Sequence, residues 1–178
     1  MTYTLLGSGD FYDQPREPLW CPWTQLHLPG DENHYNLHII GSPHARADFT
    51  HTADFAAYLA ETIRHPEVSE NRCLNFVSDH VSYEEIARLL ERFSGREVRR
   101  NVMGTDVMHA VVWDPEQAPV ELKAGPSAFP VDFWVLVKGM QGLGQFWRTR
   151  GEVHNGLFPG VEVTTFERYL GGLFGGKQ

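Results

Sequence analysis

Asp10 and Tyr12 are the first side chains in this sequence whose types and spacing suit chemistry. They follow an apolar run at residues 3–6 and the segment Gly7-Ser8-Gly9. A carboxyl group whose pKa is raised by burial can exchange a proton with a substrate, and a phenol can assist it. We therefore take Asp10 and Tyr12 as a candidate acid/base pair and His51, just before a predicted helix, as a third catalytic candidate. The alternatives are a turn cap for Asp10, a half-buried wall for Tyr12 and a surface or capping role for His51.

Aromatic residues are numerous enough to line a pocket as well as a core, with five Trp, six Tyr and eleven Phe. Trp20 and Trp23 lie three residues apart in a loop stiffened by prolines, where they could stack on a planar ligand. The alternative for these two is a hydrophobic plug. Phe133 and Trp134 are further candidates for pocket walls.

The opening glycines do not complete a dinucleotide-binding motif. That motif needs G-x-G-x-x-G between a strand and a helix. Gly7 and Gly9 fill the first two positions, but Tyr12 stands at the third, and Pro15 and Pro18 prevent a long helix from starting there. The segment after Gly9 therefore offers no helix N-terminus that could bind the phosphate groups of a nucleotide. The sequence predicts no nucleotide site here and no bound cofactor.

Charge and hydropathy argue against two classes of partner. The formal net charge is −8 and the sequence pI is about 5.5, whereas a nucleic-acid-binding face needs clustered Lys and Arg. No apolar run reaches the ~18 residues that span a bilayer, and the start has no basic segment typical of a signal peptide. We therefore expect a cytoplasmic protein that binds neither nucleic acid nor membrane.

The cysteines and histidines do not predict a metal site. Cys21 and Cys73 could pair, but a cytosolic location favours free thiols. His34 and His38 would face the same side of a strand roughly 13 Å apart, too far to share an ion. We expect no metal.

Short strands alternate with capped helices along the chain. The predicted strands cover residues 2–7, 34–41, 47–51, 73–78, 97–103 and 161–164. The predicted helices run from Thr52 as N-cap to Pro66, from a capping box at Ser82 to Gly95, over 105–113, over 131–147, and from a second capping box at Thr164 to about residue 174. Residues 13–33 are predicted to be a proline-rich loop and 114–129 a surface loop. This mixture favours one α/β or α+β domain over residues 1–178, with a small mixed sheet and packed helices.

Three segments, in this order and spacing, resemble the C-terminal half of isoflavone-reductase-like, or NmrA-like, proteins. They are "TYTLLGSGDFYD" at 2–13, "ADFTHTADFAAYLAETIRHPEVSENRCLNFVSDHVSYEEIARLLERFSGREV" at 47–98, and "FWVLVKG…LFPGVEVTTFERYLGGLF" within 133–174. The resemblance covers nearly the whole chain. It implies an atypical short-chain dehydrogenase relative, a remnant of the Rossmann family that has the substrate-binding half without the nucleotide-binding half.

The resemblance also implies a pocket for small aromatic or phenolic molecules. In such proteins the loop after the first strand lines the substrate site, which would add Gly9 and Phe11 to Asp10 and Tyr12. The reductases carry a lysine base in the half that has no counterpart here. Lys138 lies in the third segment, and we interpret it as structural, or as extending its charged end toward solvent.

Three functions remain open from the sequence. The first is an enzyme, of secondary metabolism, that acts without a nucleotide by acid/base chemistry, as an isomerase, dehydratase or cyclase. The second is an NAD(P)H-dependent oxidoreductase whose nucleotide-binding half, and with it NADPH, is supplied elsewhere. The third is a non-catalytic regulatory or binding protein. A half-domain also leaves an apolar face to be covered, so a homodimer is a further expectation.

Overall fold

Short strands and α-helices form the regular structure of the computed structural model, which describes residues 1–28 and 33–175. The strands in these ranges are β1 (Thr4–Ser8), β2 (Asp10–Phe11), β3 (His34–Ile40), β4 (Arg46–Thr50), β5 (Arg72–Phe76), β6 (Asp79–Ser82) and β7 (Glu97–Met103). The α-helices are α1 (Thr52–Arg64), α2 (Pro66–Ser69), α3 (Tyr83–Ser94), α4 (Thr105–Trp113), α5 (Val131–Gly142) and α6 (Phe166–Phe174). Short 3₁₀ turns cover Pro22–Thr24, Pro115–Gln117, Val120–Leu122 and Asn155–Leu157.

The strands form small sheets that are mostly parallel. β1 pairs with β5 in parallel, β3 pairs with β7 in parallel, and β4 lies between β2 (parallel) and β6 (antiparallel). Parallel partners need long crossovers, and helices lie in the connections from β1 to β5 and from β3 to β7. The fold is therefore α/β with small mixed sheets, which confirms the expected fold class.

The helix starts agree with the sequence in one case and differ in two. Ser82 Oγ accepts from the Glu85 N–H of α3, and the Glu85 carboxylate accepts from the Ser82 N–H at 2.8 Å, so this capping box is confirmed. The N-cap of α1 is His51 instead of Thr52, and that of α6 is Thr165. The box predicted at Thr164 is therefore wrong.

The displaced caps have a common reason, which is that tertiary contacts take the predicted capping hydroxyls. Thr52 Oγ1 donates to Asp13 Oδ1 at 2.7 Å, and Thr164 Oγ1 donates to Asp54 Oδ1 at 2.9 Å. Each hydroxyl therefore binds a distant carboxylate instead of its own helix. Local propensity was outweighed by these long-range hydrogen bonds.

Two further element predictions were wrong. Residues 161–164 form no strand. The helix predicted over 131–147 ends at Gly142, and Gly144 then adopts a left-handed φ of 69° that turns the chain. The two predicted loops contain only short 3₁₀ turns and no longer element, although residues 29–32 of the first lie outside the described part.

The buried apolar side chains form three clusters. The largest joins β3, β4, α3 and α6 and includes Tyr12, Trp23 and Phe166. The second packs α4 and α5 on the end of β3, around Trp20 and Trp134. The third lies between α1 and β5.

The surface beside β1 is partly apolar and exposed, where Tyr3 lies near Leu59 and Ile63 of α1. The homodimer expected to cover such a face stays a prediction. Across the described ranges, none of the helices combines the length and the apolar character needed to cross a membrane.

Candidate active site

Asp10 lies in a buried polar network, away from solvent. Its Oδ2 atom accepts from Lys138 Nζ at 2.8 Å and from Gln141 Nε2 at 2.9 Å, both on α5. The Tyr83 hydroxyl donates to Gln141 Oε1, and the Lys138 ammonium group lies 5.5 Å from the centre of the Tyr83 ring. Lys138 is therefore a buried partner of Asp10 and does not extend toward solvent, which corrects one part of its interpretation.

Burial and the facing charges shift the pKa values of Lys138 and Tyr83 in this network. Burial disfavours the ammonium form of Lys138, but the adjacent Asp10 carboxylate outweighs this and raises the lysine pKa. Burial raises the pKa of the Tyr83 hydroxyl. A charged lysine, a carboxylate and a neutral phenol are thus mutually satisfied, which is the arrangement expected of a structural ion pair.

Tyr12 belongs to a different network and is fully buried. Its hydroxyl donates to the Thr164 carbonyl oxygen at 2.5 Å, and its ring stacks on Phe166 with 4.2 Å between centroids. Burial raises the pKa of the Tyr12 hydroxyl, and the carboxylate of Asp54 adds to this. Asp10 and Tyr12 therefore have separate hydrogen-bond partners in this structure.

His51 lies between two carboxylates at the start of α1. Its Nε2 is 3.4 Å from Asp13 Oδ2 and its Nδ1 is 3.6 Å from Asp54 Oδ1. Its ring is 5.6 Å from that of Tyr12, so the structure brings these two predicted residues together. The role of His51 as an acid/base group stays a prediction.

Asp54 organises the surroundings of His51. Its Oδ2 accepts from Ser78 Oγ at 2.6 Å and from the Thr164 N–H at 2.6 Å. Ser78 Oγ in turn accepts from the His51 N–H at 2.9 Å. This carboxylate therefore holds together three chain segments, of which one lies 24 and another 110 residues after Asp54.

The predicted substrate-binding residues are distributed over several environments. Trp23 is buried and donates from Nε1 to the Tyr12 carbonyl at 2.8 Å, and Phe11 packs edge-on against Phe55. Trp20 and Trp134 stack on each other in the second core cluster, 6.0 Å apart. Phe133 is partly exposed beside them. The structure does not bring these rings to one cavity with Asp10.

A group of aromatic and charged side chains that the sequence did not predict as a site lies on the other face of β4. Side chains alternate along a strand, so Ala47 and Phe49 point into the largest core while Asp48 points away from it. Asp48 is buried, and its Oδ1 lies 2.9 Å from His80 Nδ1. The His80 side chain is 40% exposed.

Trp147 and Arg148 complete this group. The exposed Trp147 ring lies 6.1 Å from the ring of His80. Asp48 Oδ2 accepts from the Arg148 backbone N–H at 2.8 Å. The Arg148 guanidinium donates to the carbonyl oxygen of Ser8, the last residue of β1, at 3.0 Å. Ligands in open α/β sheets bind at the carboxyl ends of parallel strands. We call Asp48, His80, Trp147 and Arg148 the His80 site.

One sequence signal pointed toward the His80 site, namely an aspartate between Ala47 and Phe49 in the predicted strand "RADFT". A buried carboxylate requires a partner, but the partners come from β6 and from the segment after α5. No sequence periodicity or spacing predicts that residues 48, 80 and 148 lie together in the fold.

The Gly7-Ser8-Gly9 segment does not fit the pyrophosphate of a dinucleotide. A Cβ atom at Gly9 would lie 2.4 Å from the Asp48 carbonyl oxygen, and one at Gly7 would lie 2.3 Å from Asn75 Oδ1. The β4 backbone therefore requires a glycine at position 9, whereas the contact at Gly7 is with a side chain, and the third motif position is the buried ring of Tyr12. No group of three or more possible metal ligands occurs within residues 1–28 and 33–175.

The chain matches solved structures of reductases along nearly its whole length. An isoflavone reductase is 15% identical, with a TM-score of 0.67, and the alignment covers 97% of this chain and 53% of that one. A ternary complex of leucoanthocyanidin reductase from Vitis vinifera is 16% identical, with a TM-score of 0.67 and coverage of 98% and 55%.

An NADPH-dependent quinone oxidoreductase from Escherichia coli, complexed with NADPH, is 16% identical, with a TM-score of 0.62 and coverage of 98% and 54%. At such identities the likeness shows the fold, and the chain spans about half the length of these proteins. No curated protein matches the sequence. The model of the NmrA-like family matches residues 19–170. This match spans most of the chain, which therefore belongs to the NmrA-like family.

Proposed function

We propose that this chain binds a small aromatic molecule at the His80 site and catalyses a proton transfer without a nucleotide, as an isomerase, dehydratase or cyclase does. The observation that carries the proposal is the pairing of the buried Asp48 carboxylate with Nδ1 of a partly exposed histidine, 2.9 Å away. A carboxylate in this position fixes the tautomer and orientation of the ring, which leaves the opposite nitrogen to exchange a proton with a ligand.

Each neighbour of His80 has a defined task in this proposal. The exposed Trp147 ring offers a face on which an aromatic ligand stacks beside the imidazole. The Arg148 guanidinium stabilises negative charge that develops on a carbonyl or phenol oxygen when the ligand loses a proton. Asp48 holds both residues, since it contacts His80 through one oxygen and Arg148 through the other.

The proposal assigns proton transfer to residues other than those predicted from sequence. Asp10 is neutralised by Lys138, and Tyr12 donates its hydroxyl to a carbonyl. These contacts support a structural role for both, and His51 remains as a second histidine with carboxylate neighbours.

A second candidate function is the substrate-binding part of an NAD(P)H-dependent oxidoreductase. It is favoured by coverage of about half of proteins titled as reductases, one of them complexed with NADPH. In that case the residues that hold NADPH lie outside the described part of this chain. The His80 site then binds and orients the ligand and exchanges a proton with it.

Deuterium exchange tests the proposed chemistry without knowledge of the natural substrate. Hydroxylated acetophenones and flavanones, which carry exchangeable protons next to a carbonyl, are first ranked by NMR titration of the full chain. Binders are then incubated in D₂O, and incorporation at carbon is followed by NMR. We expect saturable, enzyme-dependent exchange that His80→Gln lowers by about 100-fold or more.

The controls separate catalysis from binding and folding. His109→Gln changes an exposed histidine on α4 and should leave the exchange rate unchanged. Trp147→Ala should weaken binding of the same compound, as measured by titration. Exchange that persists in His80→Gln, or compounds that bind without any exchange, would refute proton transfer at His80. Binding of NADPH by the chain alone, in calorimetry, would refute the nucleotide-free reaction.

A further inference from the structure

An open cavity of about 530 Å³ lies against the sheet formed by β3 and β7, and the proposed function does not use it. Its polar lining consists of Asn36, His38, Asn101 and Glu121, and Val102 and Met103 add apolar surface. This volume is within the range of ordinary small-molecule sites.

The sheet register explains why these side chains converge. His38 of β3 is paired with Asn101 of β7, and Asn36 lies two residues before His38 on the same face. Tyr35, Leu37 and Ile39 occupy the opposite face and belong to the largest core. Near Ile40, at the end of the strand, α4 and α5 cover the polar face with apolar side chains, but Asn36 and His38 precede that cover.

The hydrogen-bonding groups in the cavity lack strong partners among residues 1–28 and 33–175. His38 is only 9% exposed, and among the described residues its Nδ1 atom has no hydrogen-bond partner. The contact between Asn101 Nδ2 and Asn36 Oδ1 is long, at 3.4 Å. A buried polar group without a partner is unfavourable, so these groups are available to a ligand.

The kind of group in the lining selects the chemistry of that ligand. The carboxamides each donate and accept, and burial lowers the pKa of His38, which leaves a neutral ring with one donor and one acceptor. Glu121 only accepts, and the residues that line the cavity include no Lys or Arg. Hydroxyl groups, which donate and accept at once, match this set, whereas an anion would be repelled by Glu121.

We propose that this cavity binds a neutral polyhydroxylated molecule of monosaccharide size, with its hydroxyl groups on Asn36, His38 and Asn101. Glu121 accepts from a hydroxyl at the rim, and the side of Met103 faces the carbon skeleton of the ring. The site is independent of the His80 site, because it uses a different sheet and none of the same residues.

NMR titration of the full chain tests this proposal. Methyl α-glucopyranoside, methyl β-galactopyranoside and myo-inositol serve as probes, and the His38 ring signals and the Asn side-chain amides serve as reporters. At least one probe should give saturable shifts at millimolar concentration. Asn101→Ala and Glu121→Gln should each weaken that binding about tenfold, and both change partly or fully exposed positions, so the fold should persist.

Matched controls make the result decisive. Glu116→Gln removes a carboxylate from the same loop at an exposed position outside the cavity and should leave binding unchanged. Acetate and inorganic phosphate should give no saturable shift of the His38 ring. The proposal is wrong if no polyol saturates these signals, if binding is the same in Asn101→Ala and Glu121→Gln, or if an anion binds in place of the polyols.

Discussion

The Lys138 ammonium group lies 2.8 Å from Asp10 Oδ2, and both side chains are buried. The two residues are 128 positions apart, so their pairing ties α5 to the strand that follows the opening glycines. Gln141 shares the same oxygen, and Tyr83 holds Gln141 in turn. The carboxylate that sequence reasoning placed in a catalytic pair is therefore part of the core.

Lys138→Met should destabilise the protein by about 3–5 kcal/mol, because Asp10 is left buried without its partner charge. The pKa of Lys138 is higher in the folded than in the unfolded protein, so the ion pair contributes its full stabilisation at pH values below the unfolded lysine pKa of ~10.4. That stabilisation is lost only as the pH rises through the pKa of Lys138 in the folded protein. Urea unfolding at pH 7 measures the change. Lys123→Met, an exposed control, should stay within about 0.5 kcal/mol, and equal stability of the two variants would contradict the structural role of the pair.

Asp54→Ala should cost roughly 2–4 kcal/mol, since it leaves the Thr164 N–H and the Ser78 hydroxyl without their acceptor. Asp106→Ala is the control, because that side chain is exposed in the first turn of α4 and should cost no more than about 1 kcal/mol. Thermal and urea unfolding give both values. A loss for Asp54→Ala no greater than that for Asp106→Ala would show that these hydrogen bonds add little.

Gly9→Ala should reduce stability by about 3 kcal/mol, because the new methyl group would lie 2.4 Å from the Asp48 carbonyl oxygen, a backbone atom that cannot move freely. Gly151→Ala, where a Cβ meets nothing within 4 Å, should be nearly neutral. Denaturant midpoints compare the two. If Gly9→Ala is as stable as wild type, the close approach of residue 9 to the β4 backbone is not what requires this glycine.

Arg100→Met should destabilise the protein by about 1 kcal/mol at pH 7, and the difference should shrink toward pH 3. The Arg100 guanidinium, which hydrogen bonds to Glu91, holds the pKa of that carboxyl below its usual value. Because the pKa of Glu91 is lower in the folded than in the unfolded protein, the ion pair stabilises the fold at pH values above the unfolded pKa of ~4.3. This stabilisation is lost as the pH falls through the pKa of Glu91 in the folded protein. Urea unfolding from pH 3 to 7 tests this, with Arg150→Met as an exposed control. A difference independent of pH would exclude the ion pair as its source.

The two cysteines should react at very different rates with a thiol reagent such as DTNB. Cys21 is fully buried, and burial raises the pKa of its thiol to about 12, whereas Cys73 is exposed. Native protein should lose one thiol quickly, and Cys73→Ser should abolish that fast phase. Mass spectrometry identifies the modified residue, and rapid labelling of Cys21 in folded protein would contradict its burial.

The sequence by itself determined most of the local structure, because that information is contained in short segments. The capping box at Ser82 and the glycine after α3 delimit that helix, and the strands predicted at 34–41 and 97–103 appear as β3 and β7. The order of strands and helices was sufficient to predict an α/β fold, and the three quoted segments were sufficient to indicate the family.

The tertiary structure alone decided which polar groups meet. Asp10 forms an ion pair with Lys138, and the Thr164 hydroxyl donates to Asp54 instead of capping α6. Asp48 contacts His80 and Arg148, which lie 32 and 100 residues away in the sequence. A buried carboxylate needs a partner, but sequence spacing does not say which distant donor the packing of strands and helices brings to it. For that reason the proposed site is the His80 site around Asp48 of β4, and not the pair Asp10 and Tyr12 that the sequence predicted.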